Sequence, residues 1–214
     1  MSYLNWASKT ITDFSPEHIE KLYNNGFVFT RLGKGVMNQT RSFRINLADF
    51  TPSSENRRIL KKAESYHLEI NAIPFSKYGW SIGKMAKDFY SERNAEFSAN
   101  KIKKLITDPE ESNFNRLYIY SKNTEIFGYS ICLETDKIIH YSYPFYAKDA
   151  LEPSRGLAIM MLAINKAKEL GKKYIYLGSL QRQSDTYKLQ FRGGEWFDGK
   201  KWQTSAAGVK EILG

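Results

Sequence analysis

A polar segment toward the C-terminal end of the chain holds the residue types best suited to chemistry on a substrate. Lys188 can bind a phosphate, a terminal ribose or a carboxylate through its ammonium group, or it can be an ordinary surface lysine. Tyr187 can donate a hydrogen bond to a reacting carbonyl oxygen, or it can simply pack. Asp185 and Glu195 are the nearest acids, and either can accept a proton from an amine or pair with a guanidinium group. Two further polar side chains precede them: Ser179 and Gln181.

A helix and a buried strand come directly before this segment and are expected to position it. Apolar residues recur at helical spacing from Leu157 to Ala167, in a helix that begins near Ser154 and ends at Gly171. The apolar, aromatic run Tyr174–Leu177 is typical of a buried strand, and Gly178 ends it. Because a polar loop at the end of a buried strand often lines a binding crevice, we expect the site there.

The rest of the chain predicts a small N-terminal lobe, residues 1–65, followed by a larger domain, residues 66–214. The lobe combines a helix over Ser15–Asn25 with strands at Phe27–Phe29 and Thr40–Leu47. The domain has the element order β-α-α-β-β-β-α-β, and both regions together predict an α+β fold. Its earlier elements are strands at Tyr66–Phe75, Arg116–Ser121, Ile126–Leu133 and Lys137–Tyr146, with helices over Tyr78–Glu92 and from Ser98.

Positive charge is concentrated in the first third of the chain. The net charge is +9, and the region from Arg31 to Lys62 has eight bases and two acids, which gives +6. A surface of this kind can follow a phosphate backbone, with an affinity that falls as salt rises. The alternative is a basic helix face in contact with water only. The candidates for nucleic-acid contact are on one predicted helix: Arg57, Arg58, Lys61 and Lys62.

Cysteine and histidine are too few and too scattered to predict a metal site. Cys132 is the single cysteine, within a predicted strand, so a buried structural thiol is expected. The histidines, His18, His67 and His140, share no metal-ligand spacing with it. The longest apolar run, Leu157–Ile164, is far shorter than the roughly 20 residues of a membrane span, and the N-terminus is not typical of a secretory signal. We therefore expect a cytoplasmic protein without membrane contact.

The order of elements after residue 66 resembles the GNAT acyltransferase fold, in which the sheet is mixed and flanked by helices. In that fold, the helix after the fourth strand points its N-terminus at the pyrophosphate of an acyl-CoA. Gly156-Leu157-Ala158 matches the end of the family's phosphate loop, whereas Pro153 stands where the family has Gln or Arg. The resemblance implies that Arg155 and Gly156 contact the substrate.

A second resemblance covers most of the chain from Gly26 to Trp202. It is to the aminoacyl-tRNA–protein transferases, the arginyl enzymes and their bacterial leucyl relatives, whose core itself resembles an acyltransferase fold. Several short motifs agree in order and spacing, among them Phe50-Thr51-Pro52-Ser53, Arg57-Arg58, Tyr176-Leu177-Gly178, Tyr187-Lys188-x-x-Phe191, Glu195 and Gly199-x-x-Trp202.

This resemblance implies an enzyme that moves arginine or leucine from charged tRNA to the N-terminal amine of a protein or peptide. Tyr187, Lys188, Asp185 and Glu195 would act in catalysis. No cofactor beyond the aminoacyl-tRNA is implied, and the activated ester needs no nucleophilic triad. The family's paired cysteines are replaced here by Met37 and Thr40, so no metal or cluster is expected. The oligomeric state is not predicted.

Aromatic residues of the strand Lys137–Tyr146 are further candidates for substrate contact. Tyr141 and Tyr143 can stack on a terminal adenine, or they can belong to the core. Two other functions stay open at this point. One is an acyl-CoA-dependent N-acyltransferase, which would use acetyl-CoA, and the other is a catalytically inactive tRNA-binding relative.

Overall fold

Helices and strands alternate along the chain in the computed structural model, which describes residues 4–93 and 95–213. The helices are α1 (Pro16–Asn24), α2 (Ser54–Lys62), α3 (Trp80–Ser91), α4 (Ala99–Thr107), α5 (Arg155–Glu169) and α6 (Ala206–Leu213). The strands are β1 (Ala7–Thr10), β2 (Phe27–Phe29), β3 (Val36–Gln39), β4 (Ser42–Asn46), β5 (Tyr66–Ala72), β6 (Arg116–Lys122), β7 (Glu125–Glu134), β8 (Ile138–Tyr146), β9 (Tyr174–Ser179), β10 (Gly194–Phe197) and β11 (Trp202–Gln203). A 3₁₀ helix, Gln183–Gln190, lies between β9 and β10.

The principal sheet contains eight strands in the order β11-β10-β4-β9-β8-β7-β6-β5. Strands β8 and β9 run parallel, with Ile139 opposite Ile175. The pairs β4–β9, β4–β10, β5–β6, β6–β7 and β10–β11 are antiparallel, so the sheet is mixed. A separate antiparallel sheet has the order β1-β3-β2. The predicted α+β class, with a large mixed sheet flanked by helices, is confirmed.

Contacts divide the described residues into two units. The first comprises those of the ranges 1–53, 135–140 and 167–214, and the second those of 54–134 and 141–166. In the first unit, β4 lies between β9 and β10. In the second unit, β6 lies between β5 and β7. The sequence predicts a different division of the chain, at residue 65. That division stays a prediction.

Each unit has its own core of large apolar and aromatic side chains. The first buries, among others, Tyr23, Phe29, Met37, Phe43, Ile45 and Tyr176, and the second Ile102, Leu105, Tyr118, Tyr120 and Phe145. Cys132 is fully buried in the second unit, and burial raises the pKa of its thiol. A thiol in this state is unreactive, in agreement with the structural role expected for it.

The element order from β5 to β9 is the predicted one, but several boundaries and short elements differ. The strand predicted over Tyr66–Phe75 ends at Ala72, and the one predicted over Thr40–Leu47 spans only Ser42–Asn46. The segment expected to be a loop after β9 is the 3₁₀ helix, and α6 and the short strands β1, β3, β10 and β11 were not predicted. In the described part of the chain, no helix is both long and apolar enough to cross a bilayer.

Candidate functional site

Lys188 lies at the centre of the predicted polar segment, and its ammonium group is buried. The side chain extends from the 3₁₀ helix, and the residue is only 6% exposed. Its Nζ donates a hydrogen bond of 2.8 Å to the backbone carbonyl of Ser179, at the end of β9, and lies 3.5 Å from Oδ1 of Asp185. Burial lowers the pKa of the Lys188 ammonium, while Asp185 acts in the opposite direction. The alternative of an ordinary surface lysine is therefore wrong.

Asp185 holds the start of the 3₁₀ helix. Its Oδ2 accepts hydrogen bonds from the backbone N–H groups of Gln181, at 2.9 Å, and Arg182, at 3.0 Å. Its Oδ1 faces the Lys188 ammonium. Because both oxygens have partners inside the segment, the carboxylate folds the chain around Lys188. This geometry suits a positioning residue better than a base that accepts a proton from the substrate.

The end of β9 is joined to the residues before β4 by a second set of polar contacts. The side-chain amide nitrogen of Gln181 donates to Oγ1 of Thr40, at 2.7 Å, and to Oγ of Ser179, at 3.1 Å. The amide oxygen of Gln181 accepts from the backbone N–H of Leu4, at 2.9 Å. Sequence reasoning assigned no such role to Thr40, because a threonine at the start of a strand carries no distinctive signal.

Glu195, on β10, is engaged with a base on the neighbouring strand. Nε of Arg44 donates to its Oε2 at 2.6 Å, and Nη1 of Arg44 donates to the hydroxyl of Tyr176 at 3.1 Å. The guanidinium carbon lies 3.8 Å from the ring centroids of both Tyr174 and Trp202. Stacking on both faces and a charge-assisted hydrogen bond hold this arginine in place. The geometry therefore favours a structural role for Glu195, as the partner of Arg44, over acceptance of a proton from an amine.

The same contacts correct the predicted basic surface. Arg44 was counted among the bases that follow a phosphate backbone, but its side chain is only 6% exposed and is paired with Glu195. The four basic residues of α2 are exposed as expected, with Asn56 and Ile59 on the buried face. Of the four, Arg58 forms an ion pair with Glu55 at 2.5 Å.

Tyr187 is the most accessible of the four predicted catalytic residues. It is 42% exposed, and its ring centroid lies 5.8 Å from Nζ of Lys188. A substrate at the surface can therefore contact the Tyr187 side chain directly, whereas the Lys188 ammonium is accessible only from inside the fold. The pair thus combines a partly exposed tyrosine with a buried positive charge.

A cavity of about 280 Å³ lies within the same unit. Its apolar lining includes Phe43, Phe191 and Trp196, all buried. Leu189, which follows Lys188 directly, also lines it. The polar lining consists of Asp49, Arg192, Glu195 and Thr204.

The aromatic candidates of β8 belong to the second unit and serve its packing. Tyr141 is 2% exposed, which favours the core alternative over stacking on a substrate base. Tyr143 is half-buried, and its ring makes edge contacts with Phe97 and Phe114 at centroid distances of 5.4 Å.

The start of α5, also in the second unit, is closed by an ion-pair cluster. Arg155 donates to Oδ2 of Asp149 at 2.9 Å and to Oε2 of Glu152 at 3.0 Å. Hydrogen bonds, with that from Lys122 the strongest, lower the pKa of Glu152 to about 2, so this carboxylate stays charged. At Gly156, a Cβ atom would lie 2.2 Å from the Tyr146 hydroxyl, so a larger residue there would have to displace that side chain. Two carboxylates thus pair with Arg155, which the resemblance to the acyltransferase fold assigns to substrate contact.

Comparison with known proteins gives distant homologues that are named as transferases. No protein-family model matches the chain. An aspartate/glutamate leucyltransferase of Alkalilimnicola ehrlichii is 41% identical over 66 residues, which are 30% of this chain and 28% of that protein. One from Pseudoalteromonas atlantica is 24% identical over 172 residues, 79% of this chain and 74% of that protein. These relatives support an aminoacyltransferase at a coarse level.

The fold is also found in a solved structure. L-PGS from Bacillus licheniformis superposes with a TM-score of 0.51 at 16% identity, covering 82% of this chain and 57% of that one. A GCN5-related glucosamine N-acetyltransferase region of a fungal β-N-acetylglucosaminidase is also a neighbour, with a TM-score of 0.48 at 10% identity, covering 73% and 19%.

Proposed function

We propose that this protein transfers an aminoacyl group from charged tRNA to the N-terminal amine of a protein or peptide, in the cytoplasm. The observation that carries the proposal is Lys188, a buried ammonium held at the end of β9 inside the motif shared with the aminoacyl-tRNA–protein transferases. Leucine is the first candidate for the transferred amino acid, because both relatives are named leucyltransferases. Their names also make peptides that begin with Asp or Glu the first candidate acceptors.

The reaction is an aminolysis of an ester. The amine nitrogen attacks the carbonyl carbon of the aminoacyl ester, and negative charge collects on the carbonyl oxygen. The bond from that carbon to the terminal ribose oxygen then breaks, and the new carbon–nitrogen bond is kept as an amide. The nitrogen loses one proton, and the ribose oxygen gains one. The protein has to align the amine, stabilise the oxyanion and provide a route for the proton.

Lys188 and Tyr187 are assigned to the oxyanion and the leaving oxygen. An ammonium has three donors, and the contacts with Ser179 and Asp185 use two of them. We assign the third to the developing oxyanion. The hydroxyl of Tyr187, on a side chain that is partly exposed, is assigned to donate to the ribose oxygen as it leaves. Since burial lowers the pKa of Lys188, this group can also pass a proton more readily than an exposed lysine.

The nucleic-acid donor is favoured over acyl-CoA by two features. The exposed basic face of α2 offers an extended positive surface, which suits tRNA and exceeds what a small cofactor needs. At the start of α5, Asp149 and Glu152 neutralise Arg155, and a pyrophosphate would have to displace them. No cofactor beyond the aminoacyl-tRNA is therefore proposed.

The test supplies each donor in turn. The protein is incubated with leucyl-tRNA, arginyl-tRNA or acetyl-CoA and with peptides that begin with Asp, Glu or Ala. The masses of the products are then measured by mass spectrometry. We expect leucine on the acidic peptides. Transfer from acetyl-CoA alone would refute the proposal, and tight tRNA binding without any transfer would favour an inactive relative.

Lys188→Met tests the assigned role of the ammonium. The rate is expected to fall about 100-fold or more, the usual loss when one oxyanion donor is removed, while affinity for charged tRNA stays unchanged. Lys200→Met, which alters an exposed lysine of the same unit, is the matched control and should leave the rate unaffected. An active Lys188→Met variant would remove Lys188 from the mechanism.

A further inference from the structure

Trp80 is the most exposed tryptophan of the chain and has no part in the site described above. It begins α3, in the second unit, and is 76% exposed. Tryptophan is a large side chain that folding normally covers, and leaving its ring in water forgoes the gain from burial. A flat aromatic ring presented in this way is suited to contact with a partner.

The backbone that carries Trp80 is held in a defined conformation. Gly79 is the N-cap residue of α3 in extended backbone, and the backbone N–H of Ile82 donates to its carbonyl at 3.1 Å. The Tyr78 hydroxyl accepts a hydrogen bond from the backbone N–H of Gly83. A Cβ atom at Gly83 would lie 2.4 Å from that hydroxyl, so glycine allows this close approach. Because the segment is already ordered, binding to the ring costs little conformational entropy.

Lysines lie near Trp80 in the sequence. From Ser76 to Lys87 the sequence has three lysines and no acid. Trp80, Lys84 and Lys87 are spaced to share one face of α3, and the residues buried on the opposite side of the helix include Ile82 and Ala86. Lys84 pairs with Asp88 at 2.6 Å, whereas no ion pair of Lys77 or Lys87 occurs among residues 4–93 and 95–213.

We propose that Trp80, with Lys77 and Lys87, binds single-stranded RNA, the ring stacking on an unpaired base and the lysines contacting the neighbouring phosphates. We call these three residues the Trp80 patch. Every base has a face on which an aromatic ring can stack, and a strand outside a duplex leaves that face accessible. The positive charges of Lys77 and Lys87 complement a phosphate backbone, whereas Lys84 is already paired with Asp88. The inference rests on the proposed function, since it assigns part of the surface by which a charged tRNA would be held.

The probe is a fluorescently labelled eight-nucleotide oligoadenylate RNA, and the readout is fluorescence anisotropy with the full chain. Trp80→Ala should weaken binding by about 5- to 150-fold, which corresponds to the loss of one stacked base. Trp80→Phe should keep most of the affinity because a ring is retained. Leu151→Ala, which removes a side chain 91% exposed in the same unit, is the control and should bind like the original protein.

Salt dependence tests the lysines. In the double variant Lys77→Gln/Lys87→Gln, the slope of log affinity against log salt concentration should become shallower by about 1.4, from two lost single-strand phosphate contacts. An RNA duplex of the same length should respond to the lysine changes but not to Trp80→Ala. Equal binding of the octamer by Trp80→Ala and the original protein would overturn the proposal and leave the ring to a protein partner.

The outcomes are separable from those of the transfer assay. If leucine is transferred but Trp80→Ala binds the octamer normally, the Trp80 patch fails and the proposed function stands. If no donor is used but the octamer binds through Trp80, the patch stands and the proposed function fails.

Discussion

The sharpest physical prediction concerns His140, which is held neutral in the core of the first unit. Its Nδ1 is 2.8 Å from the hydroxyl of Tyr23, and that hydroxyl also accepts the backbone N–H of Phe29 at 3.2 Å. With the imidazole neutral, the Tyr23 hydroxyl can donate to an unprotonated Nδ1. Burial lowers the pKa of His140 from 6.5 to about 3. At a pH between these two values, the His140 imidazole is therefore protonated in the unfolded chain and neutral in the folded protein.

The sign and size of the effect follow from proton linkage. Between pH 6.5 and the folded pKa, the unfolded state holds one more proton than the folded state at this residue, so stability falls as the pH falls. The slope is about 1.4 kcal/mol per pH unit. Carboxylates such as Glu152, with a folded pKa of about 2, lose their contribution at lower pH. From pH 6.5 to 4.5, His140 alone should therefore remove about 2 kcal/mol of unfolding free energy, since the unfolded imidazole is already half protonated at pH 6.5.

The variant His140→Asn tests this, because its side-chain oxygen can accept from the Tyr23 hydroxyl and does not titrate. Urea unfolding is measured at pH 4.5, 5.5 and 6.5 for both proteins. The variant starts with lower stability at pH 6.5, since it leaves part of the imidazole volume empty. Its free energy should then depend on pH less steeply by about 1.4 kcal/mol per pH unit.

His67 provides the matched control, because it is exposed on β5. His67→Asn should keep the full pH dependence of the original protein. Equal slopes for His140→Asn and the original protein would refute the argument and would mean that the buried imidazole is protonated in the fold.

Two further predictions concern charged residues in different environments. Arg44→Lys should cost about 2–4 kcal/mol of unfolding free energy, since an ammonium keeps one contact with Glu195 but cannot stack between two rings. As the control, Arg58→Lys replaces an exposed arginine and should change the free energy from urea unfolding little. Equal effects of the two replacements would contradict the stacking argument. Reversing the basic face of α2 to Glu should weaken tRNA binding and make its salt slope shallower by about 3.6, from four lost phosphate contacts. Reversal of Lys200 and Lys201 is the control, and an unchanged slope would exclude α2. The reversed residues are Arg57, Arg58, Lys61 and Lys62.

The element order from β5 to β9 could be predicted because these helices and strands are long and periodic. Strands β10 and β11 could not, since they have four and two residues and exist through pairing with β4 and with each other. A run of so few residues shows no period. The 3₁₀ helix was missed for another reason: the Asp185 carboxylate that holds its start looks in sequence like any polar loop residue.

The site could be predicted in part. The sequence predicts the segment with Tyr187 and Lys188 as the candidate site, and this stays a prediction. Its polar neighbours favoured exposure, whereas the burial of Lys188 depends on how Asp185 folds the chain around it. The pairing of Arg44 with Glu195 joins residues 151 positions apart. Nothing in the local sequence of either residue indicates the other, so the basic segment seemed more exposed than it is.

The position of β4 between β9 and β10 has a consequence for synthesis on the ribosome. Residues 42–46 leave the ribosome early, yet Ile45 is paired on one side with Ile175 and on the other with Gly194. Until Gly194 has emerged, one edge of β4 has no partner and can pair with other chains. A nascent or truncated chain that ends before β10 should therefore bind chaperones and aggregate. The residues of the second unit, which end at 166, are all available earlier.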